Sequence, residues 1–120
     1  MPRTRVVFYK EDDGSVPVLE FLADIPSRAK VKVIARIERL GELGHELRRP
    51  EADYLGEGIH ELRTRLGHVN YRVLYFFHGK VAAVLACGLT KEERVPPAEV
   101  ERAKMRKAKF EQAPGAHIYQ

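Results

Sequence analysis

The chain has 120 residues, 44% of them hydrophobic and 32% charged, so it is long enough for one buried core and too apolar for a mostly disordered segment. A formal net charge of +4 tilts expectation towards a polyanionic partner, while a single cysteine, Cys87, excludes an internal disulfide framework and a Cys-rich zinc site. No apolar run reaches the roughly 18–20 residues of a membrane span, and the short apolar stretch from Val6 lacks a signal-peptide pattern, so the cytoplasm is the expected compartment.

Residues 3–9 are rich in valine and aromatics and read as a first strand. Glu11-Asp12-Asp13-Gly14 is a turn. Ser15 offers an N-cap, Pro17 suits a first helical turn, and Leu19 and Leu22 recur at helical spacing, which predicts a short helix over 16–24 that Pro26 ends. Ser27 is a second N-cap candidate. Val33, Ile37 and Leu40, with Ile34 beside them, form one stripe of an amphipathic helix that Gly41 or Gly44 can stop. The two helices should pair as a hairpin and lay their apolar stripe on a sheet. Residues 45–57, with Arg48, Arg49, Pro50 and Gly56, read as a surface loop.

Three strand-like runs follow, 59–66, 69–77 and 80–89, divided by the turn signals Gly67-His68 and His78-Gly79. Cys87 falls inside an apolar strand and reads as a small core residue. Pro96-Pro97 opens a helix over 98–112 with few apolar residues (Val100, Ala103, Phe110), hence a peripheral one. Residues 1–112 form one domain and 113–120 a flexible tail. The order β-α-α-β-β-β-α predicts an α+β fold: a four-stranded, mainly antiparallel sheet on a helical hairpin.

The turn at Gly67-His68 also sorts the charges. A two-residue connection pairs Leu66 with Val69, Arg65 with Asn70, and Arg63 with Arg72. One face then carries Glu61, Arg63, Arg65, Asn70 and Arg72, and the other Leu62, Leu66, Val69 and Val73. Opposed arginines repel unless an anion bridges them. Either Glu61 bridges them within a solvated charged face, or the face is a phosphate groove, since arginine forks match phosphate oxygens. Lys91, just past the third run, lies at the same end of the sheet. His60 alternates onto the Leu62 face as a partly buried, hydrogen-bonded residue. His68 and His78 sit in turns, and His68 is the better candidate for proton transfer. The histidines are too scattered for a metal set, and Gly56-Glu57-Gly58 precedes a strand rather than a helix, so no metal or phosphate-loop cofactor is expected.

This order of elements, with GIHELRTRL, YRVLYFF, LTKEERVP and a basic helix containing EVERA, resembles the RelE/ParE superfamily of toxins, most of all the HigB-type, phage-derived killer-like branch of type II toxin–antitoxin systems. The resemblance spans residues 6–106. It implies a RelE-like fold with a concave basic sheet face and a ribosome-dependent, metal-free mRNA endonuclease that inhibits translation. It gives Arg63, Arg72 and Lys91 the role of stabilising the scissile phosphate, with Arg65, His68 and Asn70 contacting RNA. The implied partners are a helix-turn-helix antitoxin, the ribosome and mRNA, with no membrane and no small-molecule cofactor. Glu92-Glu93 follows Lys91 where many relatives carry a second basic residue, and the last helix has no tyrosine. No residue stands out as the general base; His60, Glu61 and His68 are the candidates. Other members of the superfamily act on DNA gyrase, so a non-enzymatic toxin, or a basic nucleic-acid or antitoxin-binding module, is the alternative expectation.

Overall fold

The alternation that runs through the middle of the chain builds the centre of a five-stranded sheet. The structure, a computed structural model, describes residues 4–79, 82–91 and 95–119, without the side chains of Ala82 and Lys91. Arg3, Lys80, Val81, Glu92, Glu93 and Gln120 therefore lie outside the described residues. The elements are β1 (Arg5–Phe8), α1 (Pro17–Asp24), α2 (Ser27–Leu43), β2 (Ala52–Gly56), β3 (Ile59–Leu66), β4 (Val69–His78), β5 (Ala82–Lys91) and α3 (Pro97–Gln112). The sheet order is β1-β5-β4-β3-β2; β1 runs parallel to β5 and every other pair is antiparallel.

The predicted meander forms in the predicted register. Leu66 pairs with Val69, Arg65 with Asn70 and Arg63 with Arg72. Gly67 supplies the positive φ, +64°, that the tight connection demands. The α+β layout holds, but the sheet has a fifth strand that was expected as loop. β2 pairs Ala52 with Leu62 and Tyr54 with His60, then breaks register before Gly56. Its sequence, ADYLG, mixes poor strand formers with a bulge, which an edge strand with one neighbour tolerates.

Two layers of helix cover the sheet. Val18, Leu22, Ala29, Val33 and Leu40 from α1 and α2 pack on Leu62, Val73, Tyr75 and Leu85. On the other face Ala103 and Phe110 of α3 meet Leu74, Phe76 and Val84. Odd positions of β4 from Tyr71 to Tyr75 thus face α1 and α2, and even ones face α3. Cys87 is buried in the second layer, as its apolar strand implied.

The helix ends differ in detail from the sequence reading. Val16, not Ser15, is the N-cap of α1, and the Ser15 hydroxyl donates to Asp13 Oδ1 at 2.7 Å. Ser27 is already helical behind Pro26. Gly44 closes α2, its N–H donating to the Leu40 carbonyl. Ile34 lies outside the buried stripe and is exposed, as is Val31.

Charged side chains fasten the sparsely apolar α3. Arg106 donates to the Ala86 carbonyl at 2.9 Å and to Glu11 at 3.2 Å, Lys109 to Asp12 at 2.6 Å, and Lys104 to Glu57. The segment expected as a tail folds back on β1. Ile118 bridges Tyr9, and the buried His117 stacks on the Tyr9 ring at 5.2 Å. Among the described residues no helix is long and apolar enough to cross a membrane.

Candidate functional site

Strand pairing places Arg63 directly across from Arg72, both on the sheet face that α3 covers further along. Glu61, two residues before Arg63, shares that face. Its carboxylate is 1% exposed and is divided between the two guanidinium groups. Arg72 Nη1 donates to Oε2 at 2.6 Å. Arg63 donates to Oε1 through Nε at 2.9 Å and Nη2 at 2.6 Å. The repulsion that alternation implied is thus answered inside the protein. The bridging outcome is the one that forms, although Arg72 is buried rather than solvated, at 5% exposure.

This arrangement orders the cations rather than merely cancelling them. The Arg63 side chain keeps 40% exposure, so one guanidinium is a fixed floor and the other reaches solvent. A carboxylate behind an arginine fixes its rotamer in advance, the condition for electrostatic preorganisation.

The groove above this trio is less basic than the sequence suggested. Leu55 of β2 and Val95, Pro97 and Val100 at the start of α3 wall it. Asp53 and Glu101 join Glu61 there, so three acids accompany the two arginines. The basic sheet face that the resemblance implied is offset here by Asp53 and Glu101, which long-range packing brings in from β2 and α3.

The remaining expected residues gather at the open end of the sheet. Arg65 is exposed and donates Nε to the Gly67 carbonyl at 2.9 Å. Asn70 is half-buried opposite Arg65 and, on its other side, opposite Lys91. Lys91 lies at that end, as anticipated, but as the last residue of β5 rather than just past it, with its side chain outside the described residues. His68 is exposed in the turn, and no described ring or ion pair holds it.

His60 points to the opposite face, as its alternation with Leu62 required. It stacks on Tyr75 at 5.1 Å and lies under the tilted Tyr54 ring at 4.9 Å. Burial, and secondarily the neighbouring His45, hold its pKa below the ordinary value. His45 itself stacks on Phe77 at 3.6 Å. His45, Tyr54 and His60, with Arg48 and Arg49, line a separate cleft at the β2 edge. Residues 45–57 read from sequence as a loop, and the dipeptide Arg48-Arg49 is the local signal that points to this cleft. Among the described residues no three His, Cys, Asp or Glu side chains converge as metal ligands.

Residues 20–108 match the model of a family described as phage-derived protein Gp49-like (DUF891). No curated protein matches the chain.

Proposed function

Because the chain belongs to the phage-derived Gp49-like family, a RelE/ParE-like toxin–antitoxin family, we propose that it is a HigB-type toxin that cuts mRNA on the ribosome and is held inactive by a helix-turn-helix antitoxin. The observation that supports cleavage is the Arg63–Arg72 pair, set face to face and oriented by one buried carboxylate. In metal-free RNA cleavage a ribose 2′-OH attacks the adjacent phosphorus, a base takes its proton, and an acid protonates the departing 5′-oxygen. Negative charge builds on the phosphate between these steps. Arg63 meets that charge from the solvent side, Arg72 from the groove floor, and Lys91 from the end of β5. Arg65, His68 and Asn70 hold the flanking RNA. His68 is the proton-transfer candidate nearest the sheet end that carries Arg65 and Asn70.

The test is controlled expression in a bacterial host, with transcript ends mapped by primer extension. Growth arrest with new mRNA ends is expected. With Arg63→Gln, cleavage of ribosome-bound mRNA should slow by roughly 10²–10³ while the fold is kept. Wild-type cutting by Arg63→Gln, or by Arg72→Lys, would sink this assignment.

A second reading has its own observation. Three acids share the groove with the two arginines, and the His60 ring lies among Tyr54 and Tyr75 on the opposite face. That setting suits a toxin that docks on a protein target such as DNA gyrase without catalysis. Arrest with intact transcripts and induced DNA-damage signalling would select it. No arrest at all would remove both readings.

A further inference from the structure

The positive surplus of this molecule lies beside the groove, on the other side of Arg63. A cleft of about 410 Å³ opens between α2 and the turn end of β3 and β4, lined by Lys32, Arg36, Pro50, Arg63, Arg65 and Asn70. Four of the six are cations and none is acidic. Lys32 and Arg36 stand one turn apart on α2 and so share a face of that helix. Two carboxylates answer two of the four charges: Glu61 holds Arg63, and Glu51 holds Arg36 at 3.3 Å while also binding Arg39 at 2.9 Å. Lys32 has no acidic partner among the described residues, and Arg65 spends its Nε on a backbone carbonyl. Both are exposed.

We propose that this cleft is a binding track for the phosphodiester backbone of single-stranded RNA, with Lys32 and Arg36 as phosphate contacts beyond the reacting phosphate. An open cleft with cations along both walls suits a chain of phosphates better than one small anion. Arginine forks take phosphate oxygens in pairs, and the Asn70 amide suits a sugar or phosphate oxygen. Among the described residues no aromatic ring lines the cleft, so it offers no stacking platform there and reads backbone rather than base. Arg63 lines both the cleft and the groove against α3, which joins the two into one path. Delivery of a phosphate along that path rests on the nuclease reading; binding in the cleft does not.

The experiment is fluorescence anisotropy of the full chain with a labelled mixed-sequence RNA oligonucleotide, over a salt series. The variants are Lys32→Gln/Arg36→Gln and the charge-conserving Lys32→Arg/Arg36→Lys, each checked for fold by thermal melting. The neutral double variant should bind at least tenfold more weakly. Its slope of log K against log salt should be shallower by about 1.4, two contacts at ~0.7 each. The charge-conserving variant should bind like wild type, and changing the RNA sequence should matter little. Unchanged affinity and slope in the neutral variant would overturn the proposal. So would loss of an acidic protein partner with RNA binding intact, which would assign the cleft to a protein. Cleavage by the wild-type chain in the expression test separates the two readings: if the chain binds RNA in this way yet cuts no transcript, the nuclease reading fails and the track stands.

Discussion

Glu61 decides what the two central arginines can do. Burying a carboxylate is costly unless it is paired, and here both oxygens are engaged by guanidinium groups at 2.6 Å. Removing it would leave Arg72 as a buried charge without this counterion. Glu61→Ala should therefore cost roughly 3–5 kcal/mol, read as a shift of the urea unfolding midpoint at constant slope. A loss well under 1 kcal/mol would show that water or a rearranged partner compensates Arg72. His60 supplies a second residue-scale test, this one in pH. Its folded pKa is depressed, first by burial and then by His45. Between the folded value and about 6.5 the unfolded chain binds the extra proton, so stability is complete above about 6.5 and falls as pH drops towards the folded value. His60→Gln should flatten this acid-side loss in denaturation midpoints measured across that range. An unchanged slope would place the pH sensitivity elsewhere.

At the scale of elements, the packing of the first helical layer depends on how closely α1 seats on β5. A Cβ on Gly88 would come within 2.3 Å of the Phe21 ring, so only a bare backbone lets this helix approach. Gly88→Ala should destabilise by about 1–3 kcal/mol through overpacking, and a melting curve checks it. A neutral result would mean that Phe21, which is only half-buried, swings aside without moving α1. The same element scale explains why further acids join Glu61 beside the arginines of β3 and β4. α3 is held by Ala103 and Phe110 and by ion pairs from Arg106, Lys109 and Lys104. That fixed seat brings Glu101 and the Val95–Pro97–Val100 wall over the arginines.

For the whole molecule, charge is sorted by region. Acids converge where β2 and α3 approach the Arg63–Arg72 pair, and unanswered cations converge at the opposite rim beside α2. A polyanion would be drawn to the rim first and meet the ordered arginine pair through Arg63. The family places the chain among toxin-like phage-derived proteins, and the expression experiment asks whether this layout cuts RNA or docks on a protein.

The sequence by itself determined the meander, its register and the two faces of β3 and β4. Gly67 allows the tight turn, and strict alternation then leaves each side chain only one face. That was enough to put Arg63 opposite Arg72, His60 with Leu62, and Lys91 at the end that carries Asn70. Tertiary structure alone decided the rest. The weakly patterned ADYLG segment became a strand because β3 offered it an edge. Asp53, Glu101, Lys32 and Arg36 reached the arginines from separate elements, through docking that no local period encodes. Alternation is a property of neighbouring residues, whereas the charge balance of a groove is a property of surfaces brought together by burial elsewhere.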